Sequence, residues 1–283
     1  MRVQFWGVRG SIPTPGPTTV RYGGNTTCVS VEFGDKRVLV LDAGTGIRLL
    51  GDALLGGDAE ISVALTHAHW DHIQGFPFFA PLFEPERPVY FAPHGRARAL
   101  FDVLIDQLDG ARFPIPRERL PSLVDLMPDA DFEACLREVA GVDRLRVNHP
   151  GETDAIRVER GGRTVVFIPD NELDPPYEPH VTFDDLTAYC RGADVLIHDA
   201  QYLDDEIAAK AGWGHSTVRQ ACELAGAAEV EHLVLFHHDP GRTDDALDAV
   251  QDEARAILMG LGSEARCTVA FEGLRLDLPT LRR

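Results

Sequence analysis

The order of elements in this chain predicts an α/β fold built from two sheets, each flanked by helices. Two patterns support it. Short runs rich in Val, Leu and Phe alternate with Gly and Pro over the first two hundred residues, and apolar residues spaced at three and four are most regular near the C-terminus. Length is the third observation: 283 residues with 44% hydrophobic content can build one large core, and no feature forces a second, so residues 1–283 read as a single domain.

Taken in order, RVQFW, CVSVEF, RVLVLD, ISVAL and PVYFA are bounded by turn residues and read as strands. Between them, TGIRLLGDALL and RARALFDVLIDQL carry the apolar spacing of helices with one buried face. IRVERGGRTVVFIPD reads as a hairpin closed at Gly161-Gly162, VLIHDA and HLVLFHH as strands, and VRQACELAGAA and DDALDAVQDEARAILMGL as helices. The Pro-rich PRERLPSLVDLMPDADF, around Leu120, is expected to be an irregular excursion or a lid.

Composition excludes several classes of function. Twenty-seven basic against forty-five acidic side chains give a net charge of −18, a field that repels polyanions and makes a long nucleic acid a poor partner. The opening MRVQFWGVRGS lacks the apolar core of a signal peptide, and no run of about 18 apolar residues occurs, so a cytoplasmic protein with no membrane partner is expected. The sequence leaves a homodimer open. Cys28, Cys135, Cys190, Cys222 and Cys267 are scattered and show no CxxC spacing, which points to inert thiols rather than a disulfide framework or thiolate zinc site.

Chemistry concentrates in THAHWDH, residues 66–72, directly after the run ISVAL. Neutral imidazole and carboxylate are good ligands for zinc and similar ions, and His67, His69, Asp71 and His72 would converge at the end of one strand. The blander reading makes this a capping loop with Asp71 as N-cap of a helix starting at IQGF. His149 in LRVNHPGE, Asp170 ending TVVFIPD and His237 ending HLVLFH also stand at strand ends, where ligands gather in α/β proteins. Seven such groups suffice for two divalent metal ions; His and Asp accept Zn, Mn or Fe, with Zn the expectation.

THAHWDH resembles the HxHxDH signature of the metallo-β-lactamase fold, and His149, Asp170 and His237 are similar in order and context to that superfamily's later ligand motifs. The resemblance spans nearly the whole chain. It implies a four-layer αββα sandwich with a dinuclear site, His67, His69 and His149 on one metal, Asp71, His72 and His237 on the other, Asp170 bridging, and a hydroxide between the metals as nucleophile. Within the superfamily, NHPGET departs from the PGHT-like motif of the glyoxalase II and lactonase branches. FWGVRGSIPTPGPTTVRYGGNTTC resembles the opening of ribonuclease Z and related phosphodiesterases, ADVLIHDAQY resembles their HEAT-type motif with Asp199 in the place of its glutamate, and GHSTVRQACELA resembles their HST segment. The catalytic group so implied is Asp71, His215 as proton donor to the leaving oxygen, and Asp199 as its orienting partner, a suitable pairing for a general acid.

Ribonuclease Z carries an RNA-gripping arm between its third histidine and the bridging aspartate, whereas about twenty residues, one hairpin, separate His149 from Asp170. Together with the acidic charge, this favours a small-molecule or cyclic phosphodiester substrate over folded RNA. The alternatives are a thioester or lactone hydrolase on the same fold, or a silent metal-binding sensor. Arg9, Arg21 and Asn25, in the opening loop, are candidate substrate-binding residues because a guanidinium can clamp phosphate. Asp42 is a candidate support for the ligands, and His198 for a contact with the site. Of His237 and its neighbour His238, only one should face the metals, since strand neighbours point opposite ways. Trp70 and Trp213 are expected to pack in the core or stack on a substrate ring, and His94, His180 and His232 to be structural or surface groups.

Overall fold

The computed structural model describes residues 1–91, 97–126 and 141–280. His94, Cys135 and the end of the Pro-rich segment lie outside the described residues. Thirteen described strands form two sheets. In the first, β1 (Arg2–Gly7), β2 (Cys28–Glu32), β3 (Arg37–Leu41), β4 (Glu60–Ala64), β5 (Pro88–Phe91), β6 (Leu123–Leu126) and β13 (Arg275–Asp277) run in the order β13-β1-β2-β3-β4-β5-β6. The second is formed by β7 (Gly141–Arg146), β8 (Asp154–Arg160), β9 (Arg163–Ile168), β10 (Val195–Asp199), β11 (His232–Phe236) and β12 (Arg266–Val269), in the order β12-β11-β10-β9-β8-β7.

Alternation along the strands separates the layers, because successive side chains point to opposite faces. In β10, Val195 and Ile197 join Phe5, Val31, Leu41, Phe167 and Phe236 in the core between the sheets, whereas Leu196 faces the other way. That outer face of the second sheet is covered by α4 (Phe183–Cys190), α5 (Val218–Ala227) and α6 (Asp244–Gly260). In α6 the buried Leu247, Val250, Ala254 and Leu258 repeat at three and four, the spacing that identifies it in sequence. On the first sheet, Val38, Val40, Ile61 and Val63 pack with Ile47 and Leu50 of α1 (Ile47–Leu54) and with Phe101 and Leu104 of α3 (Ala97–Ile105). The expected αββα order is thereby met.

The hairpin expected over residues 156–170 is β8-β9, turning where Gly161 and Gly162 both take positive φ, 60° and 76°, as a type I′ turn requires. Two expectations need correction. Within its described part, the Pro-rich segment forms a short 3-10 turn at Arg117–Arg119 and then β6, which pairs in parallel with β5. Asp71 is not an N-cap: it lies inside the one-turn helix α2 (Trp70–Ile73), with His69 at the capping position. The cysteines described, Cys28, Cys190, Cys222 and Cys267, are free and buried. Among the described residues no helix is long and apolar enough to cross a membrane.

Candidate metal centre

The site forms where carboxyl ends of strands from both sheets meet. His67 and His69 follow β4, Asp71 and His72 lie in α2, His149 follows β7, Asp170 follows β9, and His237 follows β11. Donor atoms fall into three overlapping groups among the described residues, His67, His69, His149 and Asp170 in one, Asp71, His72 and His237 in another, and Asp170, His215 and His237 in a third, with the atoms of each group within 4.8 Å of one another. Asp170 stands between the first two. Its Oδ2 faces His67 Nε2 at 3.8 Å and His149 Nε2 at 3.6 Å, and its Oδ1 faces His72 Nε2 at 3.1 Å and His237 Nε2 at 3.4 Å.

Oxygen acceptors behind the rings decide which nitrogen is offered to the centre. His72 Nδ1 lies 2.8 Å from Asp42 Oδ2, His149 Nδ1 2.8 Å from the Gly214 carbonyl, and His237 Nδ1 2.8 Å from Gln201 Oε1. An Nδ1–H donated to each leaves the Nε2 lone pair directed inward, the usual support for a metal-binding imidazole. Asp42 is itself fixed by the Thr66 N–H and hydroxyl, at 2.7 and 2.8 Å. The Ser11 N–H donates to Asp71 Oδ2 at 2.7 Å. Ser11, Asp42 and His237 all adopt positive φ, 63°, 60° and 59°, a conformation costly for non-glycine residues and concentrated at functional sites.

Among the described residues, buried His67 Nε2, His72 Nε2 and Asp170 Oδ1 have no hydrogen-bond partner. Such atoms are expensive to bury unless something else binds them. Burial lowers the pKa of His67 and His69 and takes His149 down to about 4, so these rings are neutral, as ligands must be. Burial alone would raise the Asp170 pKa, but His237 and His72, the largest opposing influences, outweigh it and hold the carboxylate ionised. On donor type, convergence and unmet valence, the residues fit divalent ions.

Beside this cluster lies the pair His215 and Asp199. His215 Nδ1 is 2.7 Å from Asp199 Oδ2, and its ring stacks on His237 with centroids 4.9 Å apart. Burial would depress the His215 pKa, but Asp199, with Asp170 and Asp71, raises it to about 9. Asp199 also accepts the Asn171 and Gln201 N–H groups, which leaves it little freedom to turn.

Other expectations divide. His238 points away from His237 and lies 2.8 Å from the Ala270 carbonyl. His198 is buried with Nδ1 2.7 Å from the Asp199 carbonyl and belongs to none of the donor groups. His180 is exposed, and His232 is buried with Nε2 2.8 Å from Thr268 Oγ1. Trp70 and Trp213 do not pack in the core: they are 62% and 57% exposed, with Lys210 Nζ 4.3 Å from the Trp213 ring centroid. The phosphate-clamp expectation is corrected. Arg9 is fully buried and donates to the Gly23 and Arg242 carbonyls, Arg21 pairs with Asp245 and Asp248, and Asn25 donates to Glu272, so all three hold the opening loop in place. Sequence reading missed Gln201, the Ser11 N–H and Glu172. Gln201 was visible inside HDAQY, but a backbone N–H carries no signal in sequence.

Fold and site together define a protein of the metallo-β-lactamase fold. Residues 37–238 match the Beta-lactamase superfamily domain, and the chain belongs to that family. Ribonuclease Z from Bradyrhizobium sp. (strain ORS 278) is 28% identical, the match spanning 89% of this chain and 93% of the relative. Ribonuclease Z from Pyrobaculum arsenaticum is 31% identical over 74% and 78%. Among solved structures, the short form of human tRNase Z superposes with a TM-score of 0.63 at 20% identity, covering 99% of this chain and 100% of that one. A diphosphatase from the PhnP family gives 0.66 at 16% identity, covering 99% and 98%.

Proposed function

We propose that this protein is a dinuclear metal-dependent phosphodiesterase acting on small or cyclic phosphodiesters. The observation that carries the reading is the His215–Asp199 pair set against a double donor cluster. Hydrolysis of a carbonyl ester makes modest demands on its leaving group, whereas an alkoxide leaving phosphorus needs a positioned acid. Bound at His67, His69 and His149 on one side and Asp71, His72 and His237 on the other, with Asp170 between, divalent ions would supply Lewis acidity and lower the pKa of water. The chain's own residues do the rest. As the oxygen of a water that gives up one proton to solvent bonds to phosphorus and the phosphorus–oxygen ester bond breaks, the departing oxygen takes a proton from His215 Nε2, which solvent then restores. Asp199 accepts the opposite ring N–H, fixing the orientation and favouring the charged ring beforehand.

The relatives named ribonuclease Z and the fold likeness to a PhnP-family diphosphatase support phosphorus–oxygen chemistry. Substrate size is argued from this chain. Only the hairpin β8-β9 lies between His149 and Asp170, and a net charge of −18 gives little of the phosphate neutralisation on which RNA affinity rests. The exposed indoles of Trp70 and Trp213, flanking the site in sequence, suit a flat ring in the substrate.

The test is metal analysis with parallel assays on bis-p-nitrophenyl phosphate, 2′,3′- and 3′,5′-cyclic nucleotides, one lactone and one thioester. We expect about two metal equivalents and turnover on diesters. His215→Ala should lower kcat on the order of 10²–10⁴-fold, the usual worth of a general acid, and keep its metal. Metal loss in that variant would make His215 a ligand, and turnover confined to the lactone or thioester would sink the phosphodiester assignment.

A further inference from the structure

Glu172 is one of the least exposed carboxylates among the described residues, at 1%, and it takes no part in any of the donor groups. Its partners are backbone N–H groups. Oε1 accepts from Gly212 at 2.8 Å and Oε2 from Gly214 at 2.9 Å, so the carboxylate grips the loop immediately before His215 from within. Both glycines have positive φ, 85° and 88°, a path that side-chain-bearing residues rarely follow. The loop is also pressed against the site. A Cβ on Gly214 would stand 2.3 Å from His149 Nδ1, and the Gly214 carbonyl accepts from that same nitrogen at 2.8 Å.

The other side of the clasp is anchored just as firmly. Glu172 donates its N–H to the Asn148 carbonyl, Asn148 donates its N–H to Asn171 Oδ1, and the Ser216 hydroxyl donates to the Asn171 carbonyl. Residues 170–172 therefore hold three things in one register: Asp170 between the donor groups, the His149 turn, and the loop bearing His215. A buried carboxylate is costly to keep charged unless its hydrogen bonds are met.

We infer that Glu172 is a positioning residue that sets the leaving-group side of the reaction by fixing where His215 stands. The inference rests on the proposed role of His215 as the acid. Glu172→Gln keeps the volume but turns an NH2 group towards one of the two N–H donors, removing one hydrogen bond and opposing two donors. The His215 loop must then shift, and misplacement by about 1 Å costs on the order of 10²-fold in rate. That loss should depend on the leaving group, because a good one departs without a proton.

The experiment measures kcat and KM on aryl phosphodiesters with p-nitrophenol and with phenol as leaving groups, for wild type, Glu172→Gln, Glu172→Asp and His215→Ala, with metal content determined on each. We expect Glu172→Gln to lose on the order of ten-fold more kcat on the phenol ester than on the p-nitrophenol ester. The same skew should be larger in His215→Ala and smaller in Glu172→Asp, which keeps the charge, and metal content should match wild type throughout. Equal losses on both esters, no loss, or loss of metal in both Glu172 variants would overturn the inference. A wild-type protein inactive on every diester would overturn the phosphodiesterase reading itself, an outcome separate from these.

Discussion

At the scale of single residues, Asp42 shows how much of the centre depends on a group that is not itself a donor. Its carboxylate takes the Thr66 N–H, the Thr66 hydroxyl and the His72 Nδ1–H, all within 2.8 Å, in a fully buried place. Asp42→Ala leaves these donors without an acceptor and frees the His72 ring to turn. Removing a support of this kind weakens metal binding about 10–100-fold. Competition against a chelator of known affinity measures the change, and unchanged affinity would show that His72 is held by other means. Residues of this scale were unevenly legible in sequence. His67, His69, Asp71 and His72 stand out because a capping loop needs one such side chain, not four ligand-type groups in six positions. Asp42 was visible as a strand end and a candidate support for the ligands, without a clue that His72 is the one it holds. Arg9, Arg21 and Asn25 misled because a guanidinium or amide in a loop looks the same whether it faces phosphate or, as here, carbonyls and carboxylates distant in sequence.

Elements were legible where one strong period governed them. In α6 the apolar spacing, and in β10 and β11 the fully buried runs, lie in the sequence itself. β6, β12 and β13 were not legible: three or four residues that include charged ones, unlike the equally short but apolar PVYF of β5, leave no pattern to count, and pairing with a neighbour makes them strands. Helix α5 adds a functional consequence to a local signal. Thr217 and Gln220 form a reciprocal capping box, each side chain satisfying the other's backbone N–H, and the helix so begun starts three residues after His215. Thr217→Ala removes one half of the box and should cost about 1 kcal/mol. For a chain of this size that is roughly a 2–4 °C fall in Tm. Because Ser216 still anchors the segment to Asn171, the substitution should lower stability far more than turnover. A calorimetric scan beside a kinetic assay checks this, and a large kcat loss at unchanged Tm would show that the cap positions His215 directly.

At the scale of the whole molecule, the centre is where the two sheets are tied together. His67, His69, Asp71 and His72 come from the first sheet's side, and His149, Asp170 and His237 from the second. Ions bound here would cross-link the sandwich at one edge, and unfolding would scatter the donors, so binding favours the folded state alone. With free metal at 100 to 1,000 times Kd, linkage adds about 2.7–4.1 kcal/mol per site. At roughly 2–4 °C per kcal/mol, chelation should lower Tm by about 5–15 °C for one site and more for two. We also infer that residues 1–283 unfold as one domain, since the core between the sheets draws on β1, β2 and β3 as well as β8, β9, β10 and β11. The metal-dependent fall should therefore move a single transition as a whole. Differential scanning calorimetry of metal-loaded and chelator-treated protein, with metal analysis of both, tests both statements. A Tm indifferent to metal would contradict binding at this cluster, and two transitions of which only one responds would contradict the single domain.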